Sequence, residues 1–234
     1  MLKLQDLCFK VDENEYILKD LNLNFEKGKI TVITGQNGSG KTTLTKNIMG
    51  ITFPTSGKII FNGEDITDLP LYERAKKGMT YAFQQPVRFK GVKVKDILQL
   101  ASGKDSNINQ ACEYLSKVGL CARDYIDREL DSSLSGGELK RIELAVSLSK
   151  GGELFLFDEP EAGIDLWSFE NLIEIFRNLE GKTIIIVSHQ KKILDIADNI
   201  VLLNRNNQVF HGKREEIMPL IDNNKCSILE AKNG

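Results

Sequence analysis

The sequence predicts an α/β fold that carries a small helical subdomain. Three observations predict it. Short β-branched or apolar runs alternate with amphipathic helical stretches along most of the chain. A glycine-rich loop, Gly35–Thr42, joins one such run to a helix. From about Val94 to Leu130 the pattern turns helical and more polar, and afterwards the α/β rhythm returns.

Leu2–Val11 and Tyr16–Phe25 read as strands, and Lys27–Gly28 turns the chain into "KITVIT" (Lys29–Thr34), a run suited to a buried strand. A helix over Lys41–Met49 follows the glycine loop. Gly57–Gly63 alternates and ends in a turn, and Met79–Phe83 is a further strand. In the helical segment Asp96, Ile97, Leu100 and Ala101 share one face, and Ala111, Tyr114, Leu115 and Val118 share another. A helix over Ser135–Lys150 aligns Leu139, Ile142, Ala145 and Val146. "ELFLFDE" (Glu153–Glu159) is a buried strand. A helix, the strand "KTIIIVS" (Lys182–Ser188), another helix and a strand pair, Ile200–Leu203 and Gln208–His211, complete the rhythm before a short C-terminal helix signal. These elements make one domain over 1–234. Its core lies in 1–85 and 153–234, and its helical subdomain in about 86–152.

Composition excludes several classes. A formal net charge of −2 gives no global basic field, so neither nucleic acid nor an anionic membrane surface is expected as a partner, and short apolar runs lead to the expectation of no direct membrane insertion. The longest apolar runs, such as Thr183–Val187, are far short of the roughly 18 residues of a membrane span. The N-terminus alternates like a strand, which makes a cytoplasmic location the expectation. Cys8, Cys112, Cys121 and Cys226 are scattered and form no C-x-x-C pair, so reduced thiols without a metal are expected.

"GQNGSGKT" fits G-x-x-x-x-G-K-[ST] in full, between a strand and a helix. Glycines let successive N–H groups converge on phosphates without a Cβ in the way, and the helix start adds unpaired donors. The candidate phosphate cradle is Gly35, Gln36, Asn37, Gly38, Ser39, Gly40, Lys41, Thr42 and Thr43. Lys41 supplies a charge for the β and γ phosphates, and Thr42 a hydroxyl for magnesium. The loop alone does not choose between ATPases, GTPases and small-molecule kinases. "LFLFDEP" narrows the choice, because two carboxylates sit at the C-terminal end of a buried strand, where open α/β sheets bind ligands. Asp158 is the candidate magnesium ligand and Glu159 the candidate general base.

"LSGGELKR" (Leu134–Arg141) raises a further point. Ser135 and Glu138 have capping-box spacing, which does not by itself require Gly136 and Gly137. Two glycines leave the N–H groups of the helix start open to a ligand, giving a second phosphate-binding terminus. A head-to-tail pair of subunits satisfies both termini, with the Ser135 loop of one closing over the γ phosphate held by the other.

"LSGGE" resembles the signature motif of ABC (ATP-binding cassette) ATPases. The order of P-loop, glutamine loop, signature, acidic strand and histidine is similar to that family over about Leu2–Leu220. The resemblance implies a mixed central sheet with an antiparallel β-subdomain, Mg-dependent ATP hydrolysis, and a homodimer formed on ATP binding. It implies that Gln84 in "YAFQQP", ahead of its neighbour Gln85, senses magnesium and partner. It further implies that Ser135, Gly136, Gly137 and Glu138 act on the partner subunit's ATP, that Asp165 in "EAGID" crosses the dimer interface, and that His189 in "IVSHQ" contacts the γ phosphate. The aromatic residue on which many members stack adenine is missing. Val11 is expected there, with Tyr16 as the nearby alternative.

"DEPEAGID" departs from the "DEPTSALD" that transporter subunits more often resemble, and "QQPVRFKGVKVKDIL" and "YIDRELDSSLSGGELKRIELA" are similar to stretches of the SufC family, the ATPases of the Suf iron–sulfur cluster assembly system. That resemblance implies a β-helical scaffold partner of the SufB/SufD kind, contacted around Gln84–Lys95. The alternative is the nucleotide-binding subunit of an ABC membrane importer, whose permease would use the same surface.

Overall fold

The computed structural model describes residues 1–12, 15–103, 107–179, 181–205 and 207–221. Cys226 and the end of the C-terminal helix signal lie outside them. Two compact units are present: Met1–Arg74 with Thr183–Gly234, and Ala75–Lys182. The segment 86–152, expected to be helical, lies wholly within the second.

In the first unit, β1 (Leu2–Asp12) and β2 (Glu15–Phe25) pair antiparallel, with Leu2 opposite Phe25 and Leu4 opposite Leu23. Buried Leu2 and Leu4 alternate with exposed Lys3 and Gln5, as a half-buried strand requires. The register then shifts between Leu4 and Leu7. Asp6 takes a left-handed φ of 46° there, and a bulge of this kind moves the buried phase to Leu7. Asp20, at φ 49°, does the same on β2 between Leu18 and Leu21.

The same unit holds β3 (Ile30–Gly35), followed by α1 (Lys41–Ile48), β4 (Ser56–Phe61) and β5 (Glu64–Asp65). β4 extends the hairpin sheet, in the order β2-β1-β4-β5. β3 belongs to a second, parallel system. Apolar runs without alternation mark strands covered on both faces, and Val32, Ile33 and Ile184–Val187 are fully buried. α2 (Leu71–Lys76) carries Arg74, which is fully buried. Its guanidinium donates to Leu69 O, Thr67 O, Asn47 O and Ile48 O, at 2.7–2.8 Å. The last two carbonyls end α1, where Asn47 O also accepts from Gly50 N at 3.1 Å, so Arg74 caps the helix that begins in the glycine loop. Burial pulls its pKa down to about 10.

The second unit starts with β6 (Met79–Ala82) and β7 (Phe89–Lys93), then α3 (Val94–Ser102), α4 (Ile108–Lys117), α5 (Ala122–Tyr125) and β8 (Glu129–Leu130). α6 (Gly136–Lys150), β9 (Leu154–Asp158) and α7 (Leu166–Arg177) follow. β6 and β9 pair parallel, with Ala82 opposite Phe157, and β7 pairs antiparallel with β8. Ala111, Leu115 and Val118 are buried as expected on α4. On α3 the expected face is corrected: Val94 and Leu98 are buried, while Leu100 is 78% exposed. The cap sets that phase. Asp96 accepts from Lys93 N at 3.1 Å, so the helix begins at Val94 and its inward stripe runs 94, 97, 98, 101.

The first unit is completed by β10 (Thr183–Val187), α8 (Lys191–Leu194), β11 (Asn199–Leu203) and β12 (Val209–Lys213). β10 and β11 flank β3 in parallel, and β12 closes the edge antiparallel. This sheet is therefore mixed. No helix among the described residues is long and apolar enough to cross a membrane.

Arg74→Met is expected to lower stability by on the order of 3 kcal/mol, because buried carbonyls lose their donor. Urea unfolding measures it, as a fall in the transition midpoint at constant slope.

Candidate active site

β3 and β10 run side by side with Ile33 opposite Val187, and Ser188 N donates to Ile33 O at 3.1 Å. Both strands therefore end at one edge of the first unit. The glycine loop leaves from β3 there, and His189 follows β10 in an exposed position. The structure thus brings the loop and His189 to the same strand ends, where α/β sheets bind ligands.

The glycines of this loop have steric causes. A Cβ on Gly35 would lie 2.0 Å from Leu203 O, and one on Gly40 would lie 2.9 Å from the Leu18 side chain. Gly40 also takes a left-handed φ of 91° as it caps α1. The loop closes by Ser39 N donating to Gln36 O at 3.2 Å. Lys41 Nζ folds back onto Gly35 O (2.8 Å) and Gln36 O (3.0 Å). The Ser39 hydroxyl is buried with no hydrogen-bond partner among the described residues. Such an orphan facing a cradle of N–H groups fits an anionic oxygen ligand. Arg205, beyond β11, donates from Nε to Asn37 O at 2.9 Å.

Val11, the expected adenine contact, stands 59% exposed near the end of β1. It is Ile17 and Leu18 of β2 that lie against Gly40. Tyr16, just before them, has Lys10 Nζ 4.5 Å from its ring centroid.

In the second unit, the ends of β6 and β9 bring Gln84 to the acidic pair. Gln84 Nε2 donates to Glu159 Oε2 at 2.6 Å. A carboxylate can only accept, so the amide nitrogen must face it and the amide oxygen is left for a cation. Asp158 is buried and accepts from Tyr81 OH at 3.0 Å. Glu159 has a left-handed φ of 45°, backbone strain of the kind held at functional sites.

Buried ionic contacts fix the chain in front of Gln84. Lys140, on α6, is 1% exposed and donates to Phe83 O and to Gln84 O. It also pairs with Glu143 at 3.0 Å. Glu143 accepts from Phe83 N at 2.8 Å, and burial holds its pKa above the usual carboxylate range. Reading the sequence missed this pair, because the apolar stripe of α6 gives no sign that a lysine lies on its buried side. Charges spaced i, i+3 are the only trace.

The start of α6 is capped as its spacing predicts. Ser135 N donates to Glu138 Oε2 (2.7 Å), and Glu138 N donates to Ser135 Oγ (3.3 Å). Tyr125 OH also donates to Glu138 Oε1. These contacts, Tyr125 foremost, hold the Glu138 carboxyl down at about 2. The two glycines differ. A Cβ on Gly136 meets open space, whereas one on Gly137 would lie 2.9 Å from Gly163 O. Gly136 leaves the helix start bare, and Gly137 admits the loop that carries exposed Asp165.

Near Gln84 an open apolar groove of about 190 Å³ is lined by Tyr81, Phe83, Val87, Phe89, Leu130 and Ile142, among others. It lies within the second unit.

A family model described as ABC transporter matches residues 18–162. An uncharacterized ABC transporter ATP-binding protein of Methanocaldococcus jannaschii is 40% identical over 227 residues, 93% of this chain and 90% of the relative. A probable ATP-dependent transporter, ycf16, of Trieres chinensis is 34% identical, with 90% of each chain covered. A probable branched-chain amino acid transport ATP-binding protein, LivG, of Archaeoglobus fulgidus is 31% identical over 86% of this chain and 85% of its own. Among solved structures, the dimeric structure of MJ0796, a bacterial ABC transporter cassette, matches with a TM-score of 0.82 and 25% identity. It covers 92% of this chain and 99% of that one.

Glu138 gives a pH prediction. Its folded pKa lies below the ordinary 4.5, so its stabilisation is full above that value and lost as pH falls toward about 2. The stability difference between wild type and Glu138→Gln, followed by urea unfolding from pH 6 downward, is expected to shrink across that window.

Proposed function

Because this chain belongs to the ABC transporter family of ATP-binding proteins, we propose that it is the ATPase subunit of a transporter whose membrane partner docks in the groove beside Gln84. The chain is an ATPase. Support for the transporter reading comes from the relatives, whose names are those of transport ATP-binding proteins. The observation that carries the docking is an exposed apolar groove bordered by Phe83, the residue before the glutamine bonded to Glu159.

The residues divide the work. N–H groups of Gly38–Thr43 receive the phosphates, the Ser39 hydroxyl adds a donor, and Lys41 leaves its loop carbonyls for the β and γ oxygens. Thr42, Asp158 and Gln84 offer only oxygen donors, a set that suits magnesium, which when bound would neutralise charge on the β and γ phosphates. Glu159 takes the proton from water as its oxygen attacks the γ phosphorus and the bond to the β-phosphate oxygen breaks, leaving ADP and phosphate. His189 contacts the γ phosphate. Ser135, Gly136 and Gly137 serve the ATP of a second copy, Glu138 shapes their loop, and Asp165 meets that copy. Val11 keeps its proposed apolar contact with adenine. The dimeric MJ0796 cassette supports the pairing of two copies.

A second reading rests on a separate observation, the phrases around Gln84–Lys95 and Tyr125–Ala145 that resemble the Suf ATPases. There a soluble β-helical scaffold would occupy the groove, and ATP-driven closure would rearrange the scaffold where iron and sulfur assemble. Native co-purification, with membrane and soluble fractions kept apart, separates the two. An integral membrane partner supports the transporter subunit. A soluble partner carrying iron and sulfide replaces it with the scaffold reading.

Lys41→Ala is expected to lose most ATP binding, and wild-type hydrolysis by that variant would refute the loop's role. Glu159→Gln is expected to bind ATP, stall, and accumulate as a dimer, read by sedimentation in saturating ATP and magnesium. Ser135→Arg is expected to abolish hydrolysis while ATP still binds the monomer.

A further inference from the structure

The segment after Gln84 faces two ways. Val87 and Phe89 line the apolar groove, and Phe89 pairs with Leu130 across the β7–β8 ribbon. Arg88, between them, turns to the turn that precedes α6. Its Nη1 donates to Asp131 O at 2.5 Å and to Leu134 O at 3.3 Å. A second arginine, Arg128, donates to Ser133 O at 2.9 Å. The Asp131 carboxylate accepts from Ser133 N at 2.9 Å, which tightens the same turn. Three carbonyls directly before the helix start are thus drawn onto guanidinium groups.

This has an electrostatic consequence. A carbonyl oxygen turned toward the start of α6 would repel a phosphate. Holding these oxygens on arginines leaves the N–H groups of Gly136 and Gly137 as the exposed dipole ends, while the carboxylates of Asp131 and of Glu138, 3.7 Å from Arg128, balance the two guanidinium charges. Both bonds come from Nη1, whose two N–H groups lie in the guanidinium plane and so point in fixed directions, whereas a lysine ammonium turns freely on its stem.

It also has a mechanical consequence. The groove wall and the signature loop meet in Arg88. The other end of the segment is fixed, because Lys140 and Glu143 hold Phe83 and Gln84. A displacement of Val87 and Phe89 by an occupant of the groove therefore reaches Leu134 and Ser135 through the Arg88 side chain as well as along the β7–β8 ribbon.

We infer that Arg88 is a positioning residue that sets the signature loop for the ATP of the second copy and ties that loop to the wall of the partner groove. The inference rests on the reading above, in which Ser135 acts across a dimer. Groove and dimer interface are then linked sites, and whatever fills one changes the affinity of the other by the same factor.

The test uses the ATP-bound dimer of Glu159→Gln, with affinity read by sedimentation and binding of a fluorescent ATP analogue read on dilute monomer. Adding Arg88→Ala is expected to weaken the dimer by about tenfold, within the usual range for coupled sites, with analogue binding changed less than about twofold. A merely structural role would instead lower the melting temperature and both affinities together. Arg88→Lys keeps charge and stem, covers the case of a misfolded alanine variant, and is expected to show the same loss. Phe89→Ala is expected to weaken the dimer too, and the double variant to be no worse than Arg88→Ala alone. An unchanged dimer in both Arg88 variants, a silent Phe89→Ala, or effects that simply multiply would each overturn the inference. A Glu159→Gln chain that binds ATP and stays monomeric would overturn the dimer reading itself.

Discussion

Two helices begin with backbone N–H groups that no residue of the helix can accept, and much of the molecule is arranged to keep those groups available. At α1 the means is the glycine loop. Gly35 and Gly40 let the chain pass under Leu203 and Leu18, and Lys41 rests on the loop carbonyls of Gly35 and Gln36. At α6 the means is a cap that takes up only the third donor. Ser135 Oγ receives Glu138 N, while Gly136 and Gly137 keep theirs.

Cations on backbone carbonyls are the counterpart. Arg74 closes the far end of α1, and Lys140 fixes the strand exit that leads to Gln84. Each is buried; Arg74 spends its donors on carbonyl oxygens, and Lys140 divides its own between two carbonyls and the Glu143 carboxylate. A buried cation held in this way tolerates little displacement, since every donor it loses is left without water. The strand exit that leads to the glutamine bonded to Glu159 is therefore held in place, and so is the far end of α1.

Reading the sequence recovered the elements whose cause is local. The buried runs of β3, β9 and β10 are legible because strands covered on both faces need uninterrupted apolar residues, and the capping box at Ser135 because its spacing is its mechanism. The face of α3 was misplaced because Lys93 and Asp96 set where the helix starts, and apolar spacing alone allowed another phase. The bulges at Asp6 and Asp20 were invisible, since nothing in an aspartate announces a left-handed φ. At the site, Asp158 and Glu159 were legible as carboxylates at a strand end and Gln84 through the family resemblance, and the fold brings Gln84 onto Glu159. Lys140, Glu143, Arg88 and Arg205 were not, because long-range contacts to backbone N–H and carbonyl groups leave no motif. Gly137 was read as an opening for a ligand, and its close approach to Gly163 O could be known only from the fold.

The most direct test of a site shared between two copies is complementation. Lys41→Ala has an intact signature loop, and Ser135→Arg has an intact phosphate loop, so each alone should be inactive. Mixed with ATP and magnesium, they can form a dimer in which the Ser135→Arg chain's ATP faces the other chain's Ser135. A shared site predicts that the mixture regains hydrolysis that neither variant shows. A mixture as inactive as its parts, from chains that each remain folded, would contradict it.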